Sequence, residues 1–311
     1  MSDEKVHVGV DIAKATLAVC LLGQHFDYAN AQAGHAAFIE KLRTVPGNVQ
    51  VLCEATGGYE RALVLALHEA GLSVSVLNPR RVRNYAKARN SFAKTDKVDA
   101  RILADYGATL RPAPTIIPTP SQRVLAELVS ARQDLVEQAT AEGNRLEHLT
   151  VAVLIRDCKA ALRRLAKRLQ TVDALIDKQI QADPILSAKA ARLDSVVGVG
   201  RVTIVTVLAL MPELGHIDRG QAAALAGVAP YTRDSGQYRG KRRIHGGRPA
   251  VRRVLYMAAV SASNHNQILS AYYQALRSRG KPAKVAFTAI MRKLIVLLNH
   301  LLKDPSFVLA G

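Results

Sequence analysis

Four prolines fall within the ten residues from Arg111 to Pro120, at positions 112, 114, 118 and 120. Proline fixes φ and removes a backbone donor, so a run of them ends any helix or strand that enters it. The residues that follow, Ser121 to Gln181, contain no proline and a single glycine. One sheet or one bundle cannot run uninterrupted through such a boundary. A chain of 311 residues is expected to form two or three domains at roughly 100–200 residues each. The breaks at the proline run and at Asp183-Pro184 divide it into 1–112, a linker with a helical segment over 113–183, and 184–311.

Before the linker, strands alternate with helices. Val6 to Val10 alternates toward Asp11, and Thr16 to Leu22 reads as a second strand. Ala33 to Leu42 has helical spacing, and Val49 to Cys53 is a short apolar strand ending at Glu54. Thr56-Gly57-Gly58 is expected to open a helix to about Ala70, with Ser73 to Leu77 as a further strand closed by Asn78-Pro79. The order is βββαβαβα, a mixed sheet covered by helices. After the linker, Leu125, Leu128, Leu135, Leu146 and Leu149, then Leu162, Leu165 and Leu169, mark two long amphipathic helices. They read as an antiparallel coiled-coil pair or as an ordinary helical hairpin. The last segment is mainly helical, punctuated by glycine-rich turns.

Apolar residues make up 49% of the chain, enough to fill real cores. No uncharged apolar run reaches the length of a membrane span, so none is expected. Met1 to Lys5 leads straight into a strand-like segment, which does not read as a signal peptide. Three widely spaced cysteines, Cys20, Cys53 and Cys158, suit buried thiols in a reducing compartment. A cytoplasmic location is expected. Charge is the uneven quantity. Residues 1–183 hold 24 Lys and Arg against 20 Asp and Glu, whereas 184–311 hold 19 against 5. A segment that basic favours a polyanion, because each neutralised phosphate releases condensed counterions. The lack of a basic amphipathic helix with bulky aromatics favours nucleic acid over lipid.

Four carboxylates stand out by placement. Asp11 and Glu54 close two strands, and Asp96 and Asp99 lie three residues apart at a helix start, on one helical face. Carboxylates gathered this way suit hard divalent cations, Mg²⁺ or Mn²⁺, of the kind that act in pairs on phosphodiesters. Taken singly, each also reads as a helix cap or as surface charge.

The basic segment holds two further features. From Arg233 to Arg253 there are eight basic residues and one acidic, Asp234, with glycines at 236, 240, 246 and 247 that allow close approach to phosphate. Ser235 in this stretch reads as a nucleophile on phosphorus or as part of a simple turn. Arg233, Arg239, Lys241, Arg242, Arg243 and Arg248 are candidate phosphate contacts, as is His245. Leu193 to Gly200, with Gly198 and Gly200, has the form of a helix–hairpin–helix turn whose amides would face a phosphate, or of a tight helix connection.

Taken in order, Val8-Gly9-Val10-Asp11-Ile12-Ala13-Lys14, Cys53-Glu54-Ala55-Thr56-Gly57, Lys94 to Arg101 and Ser235-Gly236 resemble the signature of the DEDD transposases of insertion-sequence family one hundred and ten, related to the Piv DNA invertases. Val76-Leu77-Asn78-Pro79, Leu225 to Pro230, Arg253 to Met257 and Met291-Arg292-Lys293-Leu294 extend the resemblance over nearly the whole chain. It implies a RuvC-like, ribonuclease-H-fold α/β domain, a coiled-coil segment and a mainly helical transposase domain. By the same resemblance, Asp11, Glu54, Asp96 and Asp99 bind Mg²⁺, and Ser235 forms a covalent phosphoserine with DNA. It also implies donor and target DNA as partners, a structured non-coding bridge RNA as guide, and a homo-oligomer from dimer to tetramer. A metal-dependent nuclease or Holliday-junction resolvase using water is the alternative chemistry for such an acidic site.

Overall fold

The computed structural model describes residues 5–91, 95–232, 234–236, 238–240 and 242–307, with residues 238 and 239 described by their backbone. It divides into two compact units, Met1–Ile117 and Pro118–Gly311.

The first unit is built on β1 (Val6–Ile12), β2 (Thr16–Leu21), β3 (Gln24–Ala29), α1 (Gln32–Arg43), β4 (Val49–Glu54), α2 (Arg61–Glu69), β5 (Ser73–Leu77), α3 (Pro79–Ala88) and α4 (Asp96–Leu110). The sheet order is β3-β2-β1-β4-β5. The two hairpin pairs, β1 with β2 and β2 with β3, are antiparallel. The pairs β1 with β4 and β4 with β5 are parallel. Central strands covered on both faces read as continuous apolar runs, which accounts for Val49 to Cys53. One face buries Val8, Val10, Val51 and Cys53 beneath Phe38 and Leu42 of α1 and Leu63 and Leu67 of α2. The opposite face packs Leu52 and Leu77 against Val82 of α3 and Ile102, Leu103 and Tyr106 of α4. This is the mixed five-stranded sheet of a ribonuclease-H-like domain.

The helix expected from Thr56 starts later, at Arg61. Gly57 and Gly58 take φ of +67° and +106°, which are turn conformations. The Glu60 carboxylate fixes the turn by accepting from the amides of Thr56 and Gly58 at 3.0 and 2.9 Å.

The second unit contains α5 (Pro120–Glu147), α6 (Ala152–Ala182), α7 (Pro184–Asp194), α8 (Arg201–Leu210), α9 (Arg219–Leu225), four two-residue strands, α10 (Pro249–His265), α11 (Gln267–Ser278) and α12 (Ala283–Lys303). Thr119 and Gln122 form a reciprocal capping box that starts α5 directly after the proline run. α5 and α6 form an antiparallel hairpin. Arg132 Nε of α5 donates to Asp173 Oδ1 of α6 at 2.8 Å, while Glu142 and Cys158 meet nearer the turn. Leu125, Val129 and Ile176 carry the base of the hairpin into a core shared with α7 to α12. α12 is long and apolar enough to cross a membrane by length and composition. Its Ile290, Leu294 and Leu298 face is fully buried in that core.

The strands interrupt the helices where turns alone were expected. β6 (Pro230–Tyr231) pairs with β9 (Arg243–Ile244), and inside them β7 (Asp234–Ser235) pairs with β8 (Tyr238–Arg239), both antiparallel. Two nested ribbons thus make one long hairpin.

Candidate catalytic site

The acidic positions are arranged by strand register and one glycine. β1 and β4 run parallel with Gly9 opposite Leu52 and Val10 opposite Cys53. Asp11 and Glu54 follow Val10 and Cys53, so they leave adjacent strands side by side, on the face that Gly9 and Leu52 share. α4 crosses that face. A Cβ on Gly9 would collide with the Ala100 carbonyl oxygen and the Ala104 amide, so only glycine lets the α4 backbone lie this close. Farther along, Gly107 of α4 rests against Leu52 and His7. The helix therefore runs antiparallel to β1, and its first turn, with Asp96 and Asp99, sits at the Asp11 end. Thr95 caps this helix, its hydroxyl accepting from Val98 N at 3.3 Å, so neither aspartate is spent as the cap. The positive end of the helix favours both carboxylates.

Asp11, Glu54 and Asp99 are half-buried and Asp96 is exposed. Cys53 points to the opposite face, where burial, with lesser contributions from Glu60 and Glu54, pushes its thiol up to about 12. It stays protonated, and the donors at this edge are all oxygen. Among the described residues, no three His, Cys, Asp or Glu side chains stand close enough to enclose an ion by themselves. Mg²⁺ does not need such an enclosure, since it keeps several waters and binds through one or two carboxylates plus substrate phosphates. An oxygen-only, half-exposed edge fits that cation.

Two residues that sequence reasoning passed over brace this edge. Asn30 Nδ2 donates to Ala13 O at 2.9 Å and to Tyr59 O at 3.2 Å, tying the turn after β1 to the turn after β4. His35 Nε2 donates to Asn30 Oδ1 at 2.8 Å. Burial lowers the pKa of His35, which keeps the ring neutral at physiological pH. An Asn between a strand and a helix was the available signal.

In the second unit, Ser235 is exposed at the end of β7, paired with Tyr238 across the tip, with Gly236 at φ +55°. Asp234 Oδ1 accepts from Gly240 N at 3.1 Å, which closes the inner ribbon. Below it, the Tyr231 and His245 rings stack at 4.1 Å, so His245 supports the outer ribbon. Arg248 forks onto Glu213, with Nη1 2.8 Å from Oε2, and Arg252 donates to Gly246 O at 2.7 Å. The Arg248 guanidinium is thereby committed to the base of the hairpin. Arg242 and Arg243 are exposed, whereas Arg233 and Lys241 lie outside the described residues, as does the Arg239 side chain.

Gly198 and Gly200 form the turn from α7 to α8. Gly198, at φ +99°, faces α10 so closely that a Cβ would stand 2.6 Å from Ala262 Cα. Gly200 is the N-cap of α8, without a side chain over the first amides. Arg201 beside it is held by Asp173 and Asp177 at 2.9 and 2.7 Å.

An acid-edged ribonuclease-H-like domain followed by a basic helical domain with a serine on a projecting hairpin defines a class of DNA-processing enzyme. Comparison with known proteins identifies which. Residues 8–155 match a family described as transposase, and residues 190–274 match the transposase IS116/IS110/IS902 family. The chain belongs to the DEDD transposases of the IS110 family, enzymes that act on DNA. The "Pilin gene-inverting protein" of Moraxella lacunata is 28% identical over 304 residues, covering 94% of each chain, and that of Moraxella bovis matches to the same extent. The "Insertion element IS110 uncharacterized 43.6 kDa protein" of Streptomyces coelicolor is 24% identical over 363 residues, covering 89% of this chain and 87% of the relative.

Proposed function

We propose that this transposase cleaves and rejoins DNA through a covalent serine intermediate, with Ser235 as nucleophile and Asp11, Glu54, Asp96 and Asp99 as the ligands of Mg²⁺ or Mn²⁺. The observation that carries the reading is the delivery of all four acidic positions to one end of one sheet face by the β1–β4 register and the Gly9 contact. A metal held there supplies Lewis-acid stabilisation of charge on phosphodiester oxygens. The Ser235 Oγ forms a bond to phosphorus as the bond to the bridging strand oxygen breaks, and that oxygen takes the proton serine gives up. The phosphoserine conserves the ester, so a hydroxyl of another strand can reverse the attack and restore serine without a further energy source.

In this reading Arg233, Arg239, Lys241, Arg242 and Arg243 hold phosphates around the hairpin, and the Gly198–Gly200 turn offers amides to the backbone. Arg248 acts through Glu213 by fixing the hairpin base. The α5–α6 pair serves as a coiled-coil arm in a dimer or tetramer, a guide RNA selects donor and target DNA, and the reaction takes place in the cytoplasm. The gene-inverting relatives support strand exchange over simple cutting.

The test is to incubate the protein with Mg²⁺ and DNA carrying the element's ends, then resolve the products under denaturing conditions. A protein–DNA adduct that disappears in Ser235→Ala is the expected result. Cleavage without any adduct would make water the nucleophile and overturn the serine step.

A further inference from the structure

The second unit holds a groove of about 1990 Å³ that shares Arg242 and Arg243 with the serine hairpin and extends from them to α11 and α12, which the chemistry above does not use. A pocket for a small molecule occupies about 300–1,000 Å³, so the groove is built for something longer. One wall is the outer ribbon of the serine hairpin, with Pro230, Arg243 and Ile244, together with Arg219 and Arg242. The other is the first half of α12 and the turn leading into it, with Lys281, Lys284, Arg292 and Lys293. Among the described residues no carboxylate lines it. Among the described residues none of these seven cations is ion-paired, although the arginines of the α5–α6–α8 contact are.

Lys284, Thr288 and Arg292 recur every fourth residue, a step of about 6 Å along one helix face. Val285, Ala289 and Lys293 form the adjacent row, and all line the groove. Lys293 Nζ sits 4.5 Å from the centre of the Tyr272 ring. The lining also includes apolar side chains open to solvent, which make its floor in this reading, with Ile268 66% and Val285 52% exposed.

We infer that this groove binds single-stranded nucleic acid. Cations in a row answer a polyphosphate, which explains the charge. The open apolar floor separates single strand from duplex. Duplex DNA turns phosphates and sugars outward and keeps its base faces stacked, so it leaves Ile268 and Val285 wet. An unpaired strand can lay base faces on that floor and phosphates on the walls. The proposal rests on the recombinase reading, in which strands must part before they are exchanged. The ribbon wall then feeds the bound strand toward the hairpin that carries Ser235.

The experiment uses the full chain and labelled oligothymidine, oligouridine and a duplex of equal length, with binding followed by fluorescence anisotropy over a salt series. The variant replaces Lys281, Lys284 and Arg292 with Gln, all exposed positions. Single-strand affinity should fall about tenfold or more and the salt slope by about 2, with duplex affinity within about twofold of wild type. Stronger binding of oligothymidine assigns the groove to an exchanging DNA strand, and stronger binding of oligouridine assigns it to the guide. Unchanged single-strand binding, or an equal loss on duplex, overturns the inference. Photocrosslinking of an iodouracil-substituted oligonucleotide to the unmodified protein gives an independent reading. Adducts should map to α11 and α12 around Tyr272, and adducts confined elsewhere overturn the site. Recombination measured in parallel keeps the two readings apart. A wild-type protein that binds single strands in the groove but never joins DNA fails as a recombinase only.

Discussion

Asp11 and Glu54 stand one residue beyond the Val10–Cys53 pair at the ends of two parallel strands. Neighbouring positions at parallel strand ends share one face, so the two carboxylates form an edge without help from any loop. Asp11→Asn and Glu54→Gln keep size and remove charge. Several kcal/mol of metal-dependent stabilisation is at stake, so strand cleavage in Mg²⁺ should fall about 100-fold or more in either variant. Cleavage at the wild-type rate would return both residues to a structural role.

Gly9→Ala tests how the helix reaches that edge. The new methyl group would enter the backbone of α4 at Ala100 and Ala104, where no side-chain rotation relieves it. Overpacking costs about 1–3 kcal/mol, and here it also moves Asp99. Thermal unfolding should begin at a lower temperature and cleavage should fall together with it. A variant that melts like wild type and cleaves normally would show that α4 does not need this contact.

Much of this was legible in the chain. The apolar runs Val6 to Val10, Val49 to Cys53 and Ser73 to Leu77 announced strands of the mixed sheet, and the leucine spacing after the proline run announced the two long helices. What escaped was set by contacts remote in sequence. The pairing of Arg248 with Glu213, thirty-five residues away, has no local sequence signal. Strands of two residues are too short to show a period, so the hairpin under Ser235 read as a loop. Gly57 and Gly58 resembled a helix entry, but their positive φ angles make a turn. The groove cations at 219, 242–243 and 281–293 share a surface only after folding.

Ser235→Ala should separate chemistry from folding. The side chain is exposed and supports no core contact, so stability should stay within about 0.5 kcal/mol of wild type. Affinity for DNA should persist while adduct formation and strand joining vanish. Joined product from the alanine variant would exclude serine as the nucleophile.

Asp173 gives the second unit a pH dependence that can be assigned to one carboxylate. Burial alone would raise its pKa, but Arg132 at 2.8 Å and Arg201 at 2.9 Å outweigh that and hold it below the ordinary value of 3.8. A carboxylate whose pKa is lower in the folded state binds protons more readily when unfolded. Its stabilisation is therefore complete above about pH 5 and is lost as pH falls through 3.8 toward the folded value. The pair is partly solvated, so the contribution is about 1 kcal/mol, or roughly 2–4 °C in melting temperature for a unit of this size. Asp173→Asn removes the titrating group and loses that stability at every pH. Calorimetric melting of both proteins should show the full gap at pH 7 and a closing gap below pH 4. A gap of constant width would place the acid sensitivity elsewhere.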